Sequence, residues 1–459
     1  MFIGREKEIR ALEEHYRSDR FEFAVVYGRR RVGKTTLIRE FSAEKKSIYY
    51  MAVEGTAREN LSGLSAAILG QQSGAASFSD YASLLDYVDQ RCRKGDRLIL
   101  TIDEYPYLAA SYPAISSMIQ QHIDLCWKDS RLFLILCGSS MSFMETQVLG
   151  YKSPLYGRRT MQCRLRPFTL FEARPMLMPW QAEDAAVLYG VTGGVPEYLS
   201  RMDPDRSMDE NIRELFFRDS GRLFEEPVNL LKQELREPAT YHTILTAIAT
   251  GCSRLNEIAQ RSGLETSGCS VQLQSLISLG IVRREVPVTE KDTSRKSIYI
   301  LDDGMFRFWY RFVRPNRGSI SMGLGEVVYD QIVKPQISDY MGKVFEEICR
   351  QYLFEPQVYV SFPFLYGKVG RWWGTDPRSR RQEEVDLAAT GDNAILLCEC
   401  KWRNEKTPVS AAEKLLYRGE LFHYDQKAWC IFSKSGFEKD TVTFADAHDM
   451  RLISYAQML

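Results

Sequence analysis

Residues 23–36, FAVVYGRRRVGKTT, decide how the rest of the chain is read. A short apolar β-type run, Phe23 to Tyr27, stops at Gly28. From there Gly28-x-x-x-x-Gly33-Lys34-Thr35 fits the phosphate-binding P-loop pattern without a mismatch. The spacing has a physical reason. A strand ends and a helix begins with its free N–H groups converging on one point, so its positive dipole end can face an anion. Gly28 and Gly33 are expected to let the backbone wrap closely around phosphate oxygens. Lys34 is placed to reach the β- and γ-phosphates, and the Thr35 hydroxyl to ligate Mg²⁺. Arg31 and Thr36, in the same loop and first turn, complete the expected ATP-binding set.

A second element supplies acid. In 97–104, RLILTIDE, Leu98 to Ile102 read as a buried parallel strand with Asp103 and Glu104 at its C-terminal end. Open α/β sheets bind ligands at that end. Asp103 is the candidate Mg²⁺ partner, and Glu104 the candidate that orients or deprotonates the attacking water. Alone, this is a strand ending in two solvated carboxylates. Beside a P-loop it predicts NTP binding and hydrolysis.

The chain has 459 residues, which as a prior suggests about three domains. Its 60 basic and 60 acidic residues cancel, so any nucleic-acid surface must be local. Ten scattered cysteines form no C-x-x-C pair, which predicts reduced thiols in the cytoplasm and no zinc site. The start MFIGREKE is charged too early for a signal peptide, and no apolar run approaches a membrane span.

The opening segment F-x-G-R-E-x-E, residues 2–8, together with the P-loop, resembles the prokaryotic, archaeal-type ATPase family of the AAA+/STAND group. The resemblance implies that Phe2, Ile3 and Arg5 lie near the adenine. It implies that Ser139, after the apolar strand 132–138, senses the γ-phosphate, although a Ser-rich turn reads the same way. In SPLYGRRT, residues 153–160, Arg158 and Arg159 could supply transition-state charge in cis or from a neighbouring subunit; the alternative is a solvated basic loop. In GVTGGVPEYL, residues 190–199, the resemblance puts Pro196 of a helical lid near the nucleotide. The segment 70–80, GQQSGAASFSD, reads as a loop. This first domain is expected over 1–235. The resemblance permits a homo-oligomer, either a ring or an assembly triggered by nucleotide.

From 236 to 320, three helical segments precede two β-type runs, the winged-helix pattern. DNA binding and simple packing both remain open. Residues 265–280, where a recognition helix would sit, lack Lys and Arg, whereas the wing offers Arg283, Arg284, Lys291, Arg295 and Lys296. The aromatic run Phe306, Phe308, Trp309, Phe312 reads either as a base-stacking surface or, at helical spacing, as core.

Residues 321–459 are expected to form a second α/β domain. Asp386 lies on one strand; thirteen residues on, Glu399-x-Lys401 lies on the next, and both of its side chains share a face. A hairpin can therefore converge two carboxylates and an ammonium, with Glu346 of a preceding helix as a further ligand or orienting group. Asp386 and Glu399 could hold Mg²⁺ or Mn²⁺, while Lys401 positions or activates water. The strings EVD and ECKW resemble the PD-(D/E)xK nuclease superfamily, most closely the C-terminal domain of uncharacterised function attached to archaeal-type ATPases; Val385 stands where the strict motif has Pro. Alternating solvated strands produce E-x-K as well. The locally basic 371–382, with Arg371, Arg378, Arg380 and Arg381, is the candidate contact to a phosphodiester backbone. The whole predicts an α/β protein: an AAA+-like parallel sheet with lid, a winged helix and a restriction-endonuclease-like domain. DNA is the expected partner. An ATP-dependent switch that binds DNA or protein without cutting is the alternative.

Overall fold

The computed structural model describes residues 2–70, 77–93 and 97–459. Most of the polar stretch 70–80 that was expected to be a loop lies outside them. The residues fall into two compact units, Met1–Phe168 with Val195–Glu197, and Thr169–Gly194 with Tyr198–Leu459.

The first unit is built on five parallel strands, β1 (Glu22–Tyr27), β2 (Ser47–Met51), β3 (Leu98–Asp103), β4 (Leu132–Gly138) and β5 (Met161–Arg164), in the order β2-β3-β4-β1-β5. Their near-continuous apolar runs follow from burial on both faces. Phe23, Val25 and Tyr27 pack with Leu100 and Leu134 on one side, and Ala24 and Val26 with Ile99 and Phe133 on the other. The C-terminal ends of β3, β4 and β1 therefore sit side by side, and the loops that follow them meet at one edge.

In the second unit the helices Leu170–Leu177, Ala182–Thr192, Met208–Phe216 and Glu226–Glu234 lead to three more, Pro238–Ala249, Leu255–Ser262 and Thr266–Ser278. An antiparallel hairpin follows, β6 (Val282–Glu285) and β7 (Ile298–Leu301). In this division the helices from Leu170 to Glu234 group with everything downstream of them, whereas the sequence predicts boundaries at 235 and 320. The reason is close backbone packing. A Cβ on Gly304 would lie 2.4 Å from the Gly190 carbonyl oxygen, and one on Gly190 would lie 2.9 Å from Val344. Tyr340 places its hydroxyl 2.9 Å from that same Gly190 oxygen. None of these long-range contacts is visible in local sequence.

The aromatic run is core, which excludes the stacking surface. Phe306, Phe308 and Trp309 are fully buried, and the Trp309 indole donates to the Phe224 carbonyl at 2.6 Å. The β6–β7 hairpin, expected to be a wing, is also not free. The Val288 N–H donates to the Arg371 carbonyl at 2.9 Å, and Lys368 reaches Asp292 at 3.0 Å. Arg283 turns inward to Glu285, Asp302 and Glu347, so it is not a backbone contact as expected. Arg371, likewise expected at a phosphodiester, is enclosed by Glu384, Glu285 and Glu346. Arg378 pairs with Glu420 at 2.6 Å.

The chain ends in a mixed sheet of β8 (Lys368–Thr375), β9 (Gln382–Gly391), β10 (Ala394–Lys401), β11 (Gln426–Ser433) and β12 (Met450–Ser454), ordered β12-β11-β10-β9-β8. β9 runs antiparallel to both β8 and β10, whereas β11 is parallel to β10 and β12 to β11. The amphipathic helix Ile337–Tyr352 buries Val344, Phe345, Ile348 and Cys349. Among the described residues no helix is long and apolar enough to cross a membrane.

His242, hydrogen-bonded to the Tyr310 hydroxyl, makes the second unit acid-sensitive. Burial, with Arg314, Arg317 and Lys232 nearby, pushes its pKa down from 6.5 to about 4. The unfolded chain therefore binds a proton that the folded one refuses. This contribution to stability is complete above pH 6.5 and is lost as pH falls toward 4. Urea unfolding at pH 7.5 and pH 5 is expected to show a smaller acid loss in His242→Gln than in the wild type. An equal loss in both would remove His242 as a cause.

Candidate functional site

At the shared edge of the first sheet, β1 runs into the loop and the helix Lys34–Ser42, which Gly33 starts with φ 89°. That left-handed angle is why position 33 requires glycine. At Gly28 the reason differs from the expected approach to phosphate: a Cβ there would lie 2.4 Å from the Leu165 carbonyl oxygen. Arg31 also adopts positive φ, 71°, and its guanidinium lies 3.9 Å from Glu197. The segment holding Pro196, which opens the short helix Pro196–Leu199, is thereby brought to the P-loop. Glu197 itself was not anticipated. Lys34 is buried and donates to the carbonyls of Gly28 and Arg29 at 2.9 and 3.0 Å. Thr36 follows in the same first turn.

Asp103 is 1% exposed and accepts from Thr35 Oγ1 at 2.8 Å, from Tyr49 at 2.5 Å and from the Glu104 N–H at 2.8 Å. Burial opposes its ionisation. Hydrogen bonds from Cys137, Tyr49 and Thr35 outweigh that and hold its pKa below the usual value. A buried ionised carboxylate beside a hydroxyl is the donor set that suits Mg²⁺, which takes one or two carboxylates and completes its shell with phosphate oxygens and water. Tyr49 was missed because it comes from β2, with no motif to flag it. Glu104 stands in the left-handed region at φ 49°, and its carboxylate accepts from the Ser139 N–H at 3.2 Å and Oγ at 2.8 Å. Ser139 thus holds the candidate base. A backbone in this region is uncommon for a non-glycine residue and clusters at functional sites.

The opening segment braces the loop. Arg5, 5% exposed with φ 68°, donates to the Val32 carbonyl at 3.0 Å and the Arg166 carbonyl at 2.5 Å, and its guanidinium lies 4.5 Å from the Phe168 ring centroid. Phe2 packs against the adjoining core and Ile3 is half-buried. Arg5→Ala is expected to cost about 2 kcal/mol, because two carbonyls lose a charged donor. A thermal-shift titration checks it: the expected result is a lower melting point together with weaker ATP stabilisation. Arg158 makes a bidentate pair with Asp124, 2.8 Å for each bond, and also donates to the Pro154 carbonyl. Arg159 beside it is half-buried.

The second constellation lies on the C-terminal sheet. Cys398 pairs with Leu387, which sets Asp386 beside Glu399 across the hairpin. Asp386 accepts from the Cys400 N–H at 2.9 Å. Glu399 is bound by Lys401 on one oxygen and by Arg418 at 2.8 Å on the other; Arg418 also holds Glu383 at 2.9 Å. Glu346 projects from the helix Ile337–Tyr352 and accepts from Lys343 at 2.8 Å. Burial, with Asp386 nearby, pushes Glu346 up to about 6 against the pull of Lys343 and Arg371. Burial and Asp386 likewise raise Glu399, against Lys401 and Arg418. Glu346 and Glu399 therefore each feel the charge of Asp386, a situation in which a divalent cation between carboxylates would relieve the repulsion. They gather less tightly than Asp89, His122 and Cys126 in the first unit, whose ligand atoms lie within 4.8 Å of one another. Arg418, like Tyr49, arrives from a distant element and had no signal in the sequence.

Comparison with known proteins bears on the family of the first unit. Residues 2–202 match the model of an ATPase domain predominantly from Archaea, and residues 309–414 match a family described as Archaea bacterial proteins of unknown function. An uncharacterized protein of Methanocaldococcus jannaschii is 33% identical over 423 residues, 91% of each chain. An uncharacterized ATP-binding protein of the same organism is 44% identical over 46 residues, 10% of this chain and 78% of that protein. The Walker-type ATPase of Pyrococcus abyssi shares the fold over 68% of this chain and 96% of its own, with a TM-score of 0.50 and 19% identity. Matched along nine-tenths of its length, with the P-loop, Asp103 and Glu104 assembled at one sheet edge, the chain belongs to the archaeal-type ATPase family, and residues 2–202 are its ATPase domain.

Proposed function

We propose that this ATPase acts on DNA, and that nucleotide turnover in the first unit controls metal-dependent phosphodiester cleavage by the C-terminal sheet. In the first site Lys34 and the loop N–H groups bind the phosphates, Thr35 and Asp103 hold Mg²⁺, and Glu104, fixed by Ser139, takes the proton of the attacking water. Phe2, Ile3 and Pro196 are proposed around the base. Arg159, whose neighbour Arg158 is committed to Asp124, is the arginine proposed to complete a neighbouring copy's site in a homo-oligomer. The 236–320 segment is read as a winged helix, and the protein as cytoplasmic.

The observation that carries the cleavage reading is the grouping of Glu346, Asp386, Glu399 and Lys401 on one end of a sheet in which an antiparallel meander continues into parallel strands. Asp386 and Glu399 would hold Mg²⁺ or Mn²⁺, which supplies charge to the scissile phosphate. Glu346 accepts a proton or a ligand bond, and Lys401 orients water. A second reading, a switch that binds without cutting, is favoured by one feature: Lys401 and Arg418 already neutralise Glu399. Plasmid nicking in Mg²⁺ or Mn²⁺ by wild type and by Glu399→Gln separates the two. Nicking confined to wild type supports cleavage; ATP hydrolysis with no nicking by either protein supports the switch.

A further inference from the structure

Between the start of the helix Leu255–Ser262, the turn from β6 to β7, and the β8–β9 hairpin runs an open groove of about 840 Å³. Its basic lining is Arg254, Arg284, Arg295 and Lys296, and no Asp or Glu lines it. The remaining lining is mostly polar or aromatic, with Leu255 and Ile298 as its aliphatic members and Trp373 and Gln382 at the hairpin end. In a chain whose charges cancel over its length, this is a local excess.

The charges are largely available. Arg284 spends its guanidinium on the backbone carbonyls of Asp292 and Ser294, at 2.6 and 2.8 Å, so no carboxylate neutralises it there. Arg254 and Arg295 are exposed. Lys296 pairs with Glu290, an exposed contact that a phosphate can replace at little cost. Glu257 accepts from the N–H groups of Ser253 and Arg254 and offsets part of the Arg254 charge from the adjoining turn. The backbone bond from Val288 to Arg371 ties the start of the turn to β8, so both sides of the groove are joined.

The groove also leads toward the carboxylates. Trp373 pairs with Glu384 across β8 and β9, so the two side chains share a sheet face with Asp386, two residues farther along. From Gln382 to Asp386 is four residues of strand, about 13 Å. Four cations without acid, an aromatic ring able to stack on a base, and carboxylates at the end of the same strand fit one kind of occupant.

We infer that this groove binds the sugar–phosphate backbone of a nucleic-acid strand and presents it to the Asp386–Glu399 site. The inference rests on the nucleic-acid part of the proposed function. It replaces the basic loop around Arg378 to Arg381 as the main contact to the backbone. Arg254, Arg284, Arg295 and Lys296 contact phosphates, and Trp373 stacks.

The test uses the full chain in EDTA, where cleavage cannot occur, with fluorescein-labelled single-stranded DNA, single-stranded RNA and duplex DNA of equal length. Affinity is read by anisotropy across a salt series. Wild type should bind at least one of the three, with log affinity falling against log salt at a slope of about −3 for a single strand. The double variant Arg254→Glu/Arg295→Glu, at two exposed positions, should bind at least tenfold more weakly, with the slope flattened by about 1.4. Arg380→Glu/Arg381→Glu should bind like wild type. The inference is overturned if wild type binds none of the probes at low salt, if the groove variant keeps wild-type affinity and slope, or if only the loop variant loses binding. Binding by wild type, lost in the groove variant but unaccompanied by cleavage in any metal, would uphold the groove and remove only the cleavage reading.

Discussion

Lys34→Ala lowers ATP turnover by on the order of 100-fold or more and leaves the protein folded. The ammonium is buried and, among the described residues, donates to the backbone carbonyls of Gly28 and Arg29 at the mouth of the P-loop. A cation held there, where the phosphates are expected, offsets the charge that spreads over the transferring phosphoryl group. Losing it removes transition-state stabilisation. The folded state loses two hydrogen bonds at the site edge, on the order of 1 kcal/mol each, so the melting point drops by a few degrees at most. Phosphate release and a thermal melt on the same preparation check both halves. Full turnover in the variant would show that the P-loop reading is wrong. A collapsed melt would show a structural lysine.

The second large effect falls on Asp386. Asp386→Asn is expected to abolish metal-dependent cleavage, at least 100-fold by the same electrostatic argument, without weakening the fold. Asparagine can still accept the bond from the Cys400 N–H through its Oδ1. The removed charge is one that disfavours ionisation of both Glu346 and Glu399. In the absence of divalent cation the variant should therefore melt at or above the wild-type temperature. Carboxylates that repel one another until a metal arrives store instability at a working site, and neutralising one trades activity for stability. A loss of several degrees would mean that Asp386 serves the fold instead. Divalent cation should stabilise wild type and have little effect on the variant, which gives a readout independent of cleavage.

What local sequence carried was spacing. Gly28 to Thr35 and the strand ending in Asp103 and Glu104 are short-range patterns, and the structure brings Thr35 and Asp103 into contact at 2.8 Å. Asp386 and Glu399 were legible for the same reason, because a short hairpin has one register that keeps its apolar residues inside. What failed was whatever depends on contacts distant in the chain. Tyr49 on Asp103, Glu197 on Arg31 and Arg418 on Glu399 each join elements with no shared motif. Arg283 and Arg371 looked like free cations, since the sequence alone gave no sign of the carboxylates that surround them. Gly28 was expected to be glycine for its ligand; the nearer reason is the Leu165 backbone. The helices after residue 169 read as part of the ATPase domain because they follow it in the chain; the close approach of Gly190 to Gly304 joins segments far apart in the chain and left no local signal.

The central claim is that one chain couples an ATPase to a phosphodiester-cleaving site. Its most direct test is cleavage of supercoiled DNA in Mg²⁺ or Mn²⁺, with and without ATP, by wild type, Lys401→Ala and Lys34→Ala in parallel. Cutting by wild type, none by Lys401→Ala, and a response to ATP that Lys34→Ala loses is the predicted result. ATP hydrolysis by wild type with intact DNA in every lane would contradict it.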